Sequence, residues 1–203
     1  MKVKTVLIVM TLALSVAFQD TRCEAGVAVD LVRTLLEQAM TIQTDPKLQG
    51  QEFRNTRRAA IKKIIGQNFY FDEMARKALA GYWNDLSETK RLEFKAIFQD
   101  LFQESYTRLV LDFLKREKIL YAKEDLHPDR AIVNTTLLRI NEEIPVDYYL
   151  MPVGEKWLVH DIRIDGVSII ENYQKSFARV IKQESYESLL RKMRVQQQTI
   201  EKP

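Results

Sequence analysis

The sequence predicts an α+β domain with a mostly helical first half, an antiparallel sheet of three to four strands covered on one face by helices, and C-terminal helices. Three observations predict it. Apolar residues recur at spacings of three and four from Val29 to Leu114. From Ile119 the composition shifts to β-branched and aromatic residues separated by turn signals, and after Gly166 the helical spacing returns.

The chain starts with an expected export signal over residues 1–25. Lys2 and Lys4 precede an apolar run from Val6 to Phe18, and polar residues then lead to Ala25, after which cleavage is expected. That run of about 13 residues is shorter than the roughly 20 a membrane-spanning helix needs. A retained anchor and lipid attachment at Cys23 are the alternatives. Cleavage would remove the only cysteine and leave about 178 residues, enough for one domain held together by packing. A net charge of +3 over the chain is too balanced to imply nucleic acid as a partner.

Residues 26–194 are expected to form the single domain. Val29, Val32, Leu36, Ala39 and Met40 share one helical face, and Asp45-Pro46 ends that helix. The second helix, over 51–66, is basic, with Arg54, Arg57, Arg58, Lys62 and Lys63. A third spans 71–80 and is expected to close on Gly81 in a left-handed conformation. Ser87 suits the N-cap of a long fourth helix whose stripe includes Leu92, Ile97, Phe98, Leu101, Phe102, Tyr106, Leu109, Val110, Phe113 and Leu114. Segments 132–140, 144–151 and 156–165 read as strands and 119–122 as a weak one, with a hairpin turn at 152–155. Ile169, Ile170, Tyr173, Phe177, Val180 and Ile181 mark a further helix, a shorter one follows around 186–193, and 195–203 reads as a loose polar tail.

No catalytic constellation emerges. His127 and His160 have no partner at metal-ligand spacing. Asp161 and Asp165 would lie about 13 Å apart on an extended strand, so capping and turn roles are expected. Isolated Gly66, Gly81 and Gly154 make no phosphate-cradling loop, and no G-x-S-x-G elbow occurs. We therefore expect neither catalytic residues nor a cofactor or metal. An apolar cavity between a sheet and its helices would use the aliphatic and aromatic content without any reactive group.

Two blocks carry a family resemblance. Residues 71–83, FDEMARKALAGYW, are followed by Ser87, Arg91, Phe94, Phe98, Leu101 and Tyr106; residues 157–173, WLVHDIRIDGVSIIENY, are followed by Phe177. Together they resemble the MlaC family of periplasmic phospholipid-binding proteins, also called toluene-tolerance proteins. Ala80 stands where many members have glycine, and Asp165 and Gln174 replace a commoner glutamate and arginine. A branch associated with hopanoid synthesis stays open.

The resemblance implies a periplasmic carrier of phospholipid or a related membrane lipid. It would work between an inner-membrane ABC transporter bearing an MCE subunit and an outer-membrane lipoprotein complex. On this reading the tails lie between the sheet and the long helix. The candidate lining is Phe98, Leu101, Phe102, Val133, Tyr148, Leu150 and Val159; an elongated apolar cavity of about 1,000 Å³ open at one end would favour this reading, and a solid core the alternative. Trp157, Gly166 and Ser168 read as structural. The alternative is an adaptor with a packed core that binds protein partners through its basic helix.

Overall fold

The computed structural model describes residues 26–122 and 124–201, so the expected export signal and Cys23 lie outside it. Among the described residues the order is α1 (Val27–Thr44), α2 (Arg54–Asn68), α3 (Phe71–Leu79), α4 (Glu88–Phe113), β1 (Lys118–Tyr121), β2 (Asp125–Leu126), β3 (Ala131–Arg139), β4 (Glu142–Val153), β5 (Lys156–Ile164), β6 (Val167–Ser168), α5 (Ile169–Gln183) and α6 (Tyr186–Glu201). The α+β architecture is as the sequence predicts. Its sheet is wider, in the order β1-β3-β4-β5-β6 with β2 also pairing β3, all antiparallel. The additional strands β2 and β6 have two residues each, too short to leave an alternation in the sequence.

Turn chemistry sets the register. The β4–β5 hairpin turns on Gly154 at φ +61° beside Glu155, which seats Val153 opposite Lys156. The β3–β4 hairpin turns on Ile140-Asn141, with Asn141 at φ +65° and Arg139 opposite Glu142. In β5 the pairing passes from Tyr149–Asp161 to Leu150–Val159, so His160 is an extra, bulged residue. The bulge interrupts the strict alternation assumed from sequence. It lets Val159 and Ile162 both face the helices, which a regular strand would forbid.

Helix ends explain most of the remaining boundaries. The Ser87 hydroxyl accepts from the Lys90 amide and the Ser168 hydroxyl from the Glu171 amide, capping α4 and α5. Asp161 takes a capping role, accepting from the Ser168 hydroxyl at 2.6 Å and the Ile170 amide at 3.2 Å, and so ties β5 to the start of α5. At the end of α3 the expectation for Gly81 is corrected. Ala80 carries the positive φ, +48° with ψ −124°, while its amide donates to the Arg76 and Lys77 carbonyls. That conformation is strained for any residue with a Cβ. Nor does the C-terminus loosen at residue 195: α6 continues to Glu201, with Ile200 against the core and Arg194 bonded to Glu93 of α4.

The helices cover one face of the sheet. Phe71, Phe94, Phe98, Phe102, Tyr173 and Phe177 form a chain of ring contacts joining α3, α4 and α5, with centroids 5.2–6.4 Å apart. A second cluster packs Ala28, Val32 and Leu35 of α1 against Ala131, Val133, Tyr148, Leu150 and Val159 of the sheet. The basic face of α2 is largely satisfied within the fold. Arg58 and Lys62 both bond the carboxylate of Glu104 on α4, which is 3% exposed, and Arg57 donates to the Leu48 and Gly50 carbonyls. Burial pushes the Glu104 carboxyl up, but its bonds to Lys62 and Arg58 prevail and hold it below the usual carboxylate range.

Candidate functional site

The inward face of the sheet is built as rows of paired residues. Ala131, Leu150 and Val159 make one row, Val133, Tyr148 and Ile162 the next, then Thr135, Val146 and Ile164, then Ile119, Leu137 and Ile144. The first half of α1 lies on the first two rows. Beyond them the helices stand off, and a cavity of about 340 Å³ opens between the last rows and the facing helices. Its helical wall comprises Leu36 and Ala39 of α1, Ile61, Ile64 and Ile65 of α2, and Tyr106, Leu109, Val110, Phe113 and Leu114 at the end of α4.

The lining is apolar almost throughout. Thr135 spends its hydroxyl on the Val146 carbonyl at 2.8 Å, and burial raises the Tyr106 and Tyr148 phenols far above their ordinary value, so both stay neutral. One end is open: Leu109 is 42% and Phe113 54% exposed although both line the cavity. The α4 stripe is thus buried along part of its length and exposed at these two residues and at Leu92, which lies 56% exposed.

Two side chains fasten the end of α4 at this mouth. The Gln43 amide nitrogen of α1 donates to the Val110, Leu111 and Leu114 carbonyls at 2.9–3.0 Å, reaching acceptors at the helix C-terminus beyond the Leu114 amide bond to Val110 that already caps it. Arg139, at the end of β3, donates to the Phe113 carbonyl at 2.6 Å and lies 5.7 Å from the Phe113 ring centroid. This end of the cavity is therefore held by polar ties rather than by interlocked packing.

Of the candidate lining residues, Tyr148 faces the cavity. Val133, Leu150 and Val159 lie on the same face of the sheet, but under the first half of α1, where they are fully buried. Phe98 and Leu101 belong to the packed cluster among the helices, and Phe102 backs the wall by stacking on Tyr106 at 4.2 Å. The structure thus separates the seven rather than gathering them. Sequence reasoning missed Leu137, Ile144 and Val146, in period-two phase with Val133 and Tyr148, and also Ile162 and Ile164, which reach this face only through the bulge at His160.

His160 lies outside the cavity, its Nδ1 3.2 Å from the Lys77 ammonium; burial lowers its pKa, and Lys77 lowers it further. Among the described residues no group of three or more His, Cys, Asp or Glu is placed to hold a metal ion, and no helix is long and apolar enough to cross a membrane. What the arrangement can do is enclose hydrocarbon.

Comparison with known proteins gives concordant matches. A family model described as MlaC protein matches residues 33–195. The intermembrane phospholipid transport system binding protein MlaC of Haemophilus influenzae is 23% identical over 122 residues, covering 58% of this chain and 57% of that relative. The chain thus spans little more than half the length of that curated relative. A solved structure of a phospholipid-binding protein from Ralstonia solanacearum, in complex with a phospholipid, has the same fold. Its TM-score is 0.71 at 20% identity, covering 85% of this chain and 98% of that one.

Proposed function

The chain belongs to the MlaC family, and on that premise we propose that it is a phospholipid carrier of the periplasm, exported by its N-terminal signal. The observation that carries the reading is the apolar cavity open at the end of α4. The Haemophilus and Ralstonia relatives support phospholipid as the cargo.

Enclosure is what the cargo requires. A diacyl lipid has roughly 30 methylenes, and at about 0.8 kcal/mol each their exposure to water would cost on the order of 25 kcal/mol. Transfer from a bilayer to an apolar cavity exchanges one hydrocarbon environment for another. The net change is then small, and direction follows from the docking partner. An inner-membrane ABC transporter with an MCE subunit on one side and an outer-membrane lipoprotein complex on the other would supply that direction.

Size adds a step to the mechanism. If each methylene needs about the 30 Å³ share of a water molecule, two tails need roughly 900 Å³. The cavity measures about 340 Å³, below the roughly 1,000 Å³ that would favour a carrier outright, so enclosing two tails calls for it to widen. The end of α4 is the wall suited to move, because neutral hydrogen bonds such as those from Gln43 are worth only about 1 kcal/mol each. Native mass spectrometry of protein purified from the periplasm tests the reading. A stoichiometric phospholipid mass is expected; protein that carries none, and that takes none from vesicles after delipidation, contradicts it.

A further inference from the structure

Beside the cavity mouth lies a wide charged cleft lined by Arg54, Arg57, Lys115, Arg116, Lys118 and Arg139, with Asp112 and Glu117 as its acidic members. Cations exceed anions there by four. Asp112 is already engaged by Arg54 at 3.5 Å and Arg108 at 3.6 Å, and Glu117 accepts from the Lys115 amide while standing 3.8 Å from Arg139. Lys115, Arg116 and Lys118 form no ion pair among the described residues and are exposed. The fold leaves this positive charge unneutralised at the opening of its apolar cavity.

Arg139 joins the two spaces. It continues the inward series Thr135, Leu137, Arg139 on β3, so a guanidinium stands where the alternation calls for an apolar side chain, and it lines both the cavity and the cleft. Its side chain is 28% exposed. A guanidinium has five N–H donors in a planar fork. Its bond to the Phe113 carbonyl uses one of these, and the Glu117 carboxylate is beyond hydrogen-bond distance.

We propose that Arg139, supported by Lys115, Arg116 and Lys118, binds the phosphodiester anion of a lipid headgroup whose acyl chain occupies the cavity. Bidentate contact to a phosphate suits the arginine fork, and the flanking ammonium and guanidinium groups add charge without fixed geometry. The inference rests on the carrier reading. A free phosphate has the same chemistry as the headgroup, but it has no use for the adjoining hydrocarbon space.

The test compares loading of the purified, delipidated chain from vesicles containing phosphatidylglycerol or the diacylglycerol with the same acyl chains. A charge-assisted bond worth about 1.5–3 kcal/mol corresponds to roughly ten- to hundredfold preference for the phosphate-bearing lipid. R139Q should lose most of that preference, read as the ratio of the two lipids loaded, so that any change in total loading from the lost tie to Phe113 affects both alike. The double variant K115Q/R116Q, changed only at exposed positions, keeps the test valid should R139Q fold poorly. It should lose a smaller part, and added salt should weaken the wild-type preference. Equal loading of both lipids by the wild type overturns the headgroup site and leaves the carrier reading standing. Loading of neither lipid overturns both. A third arm measures inorganic phosphate alone: if it binds through Arg139 and abolishes the preference at millimolar concentration, the site is one for free phosphate and the headgroup assignment fails.

Discussion

The two ends of the sheet's inward face are made of the same kinds of residue and behave differently. At one end Val133, Leu150 and Val159 are sealed beneath Ala28, Val32 and Leu35 of α1. At the other, Leu137, Ile144, Val146 and Ile164 face open space. Nothing in the strands decides which end is filled. The helices decide it: α1 lies close over the first rows, and the last turns of α4 stand away from the others, tied down by Gln43 and Arg139. A packed core and a binding cavity can therefore share one alternation, and the boundary between them is a tertiary property.

The largest expected effect tests this boundary through stability. Leu150→Ala, at the sealed end, should cost about 3 kcal/mol in chemical denaturation, whereas Leu137→Ala, which already faces a void, should cost about 1 kcal/mol or less. Equal losses would break the comparison. Next comes Glu104, whose bonds to Arg58 and Lys62 tie α4 to α2 before its final turns. Glu104→Gln should destabilise by about 2 kcal/mol, less than for a fully buried pair, because Arg58 and Lys62 keep 22% and 33% of their side-chain surface in water.

The same carboxylate supplies a pH dependence. Its folded pKa is depressed, so its contribution is fully present above the ordinary carboxylate value of about 4.3 and is lost as the pH falls through the lower folded value. Denaturation midpoints of the wild type should therefore fall more steeply than those of Glu104→Gln below about pH 4.

A smaller effect separates binding from folding. Leu137→Trp fills the open end, so phospholipid loading should drop about tenfold or more while stability changes by less than about 1.5 kcal/mol. The smallest is Ala80→Gly, far from both ends of the sheet. Relief of the positive φ should raise stability by about 1 kcal/mol in thermal or chemical unfolding and leave loading unchanged.

Much of the frame could be read from the sequence because its signals are local. Ser87 and Ser168 cap the helices they precede, Asp45-Pro46 ends the first helix, and Gly154 turns the hairpin. What escaped depends on partners distant in the chain. The two-residue strands have meaning only beside β3 and β5, and the extension of α6 rests on contacts such as that between Arg194 and Glu93. Ala80 sits where its neighbour Gly81 was expected to turn, because residue type alone does not say which of two adjacent positions takes the strain. The four strand residues of the candidate lining lie on the sheet face that bears the cavity, and of them only Tyr148 borders it. Period two identifies a face, and nothing in the period distinguishes Val133 from Leu137.

The central claim, that acyl chain occupies the open end of the sheet face and not the sealed one, is tested most directly by photo-crosslinking. A phospholipid carrying a diazirine along its acyl chain is loaded into the delipidated protein, irradiated, and its attachment sites mapped by peptide mass spectrometry. Attachment is expected at Leu109, Phe113, Leu137, Ile144 and Val146. Labelling centred on Val133, Leu150 and Val159, or scattered over the outer surface of the helices, would contradict the account.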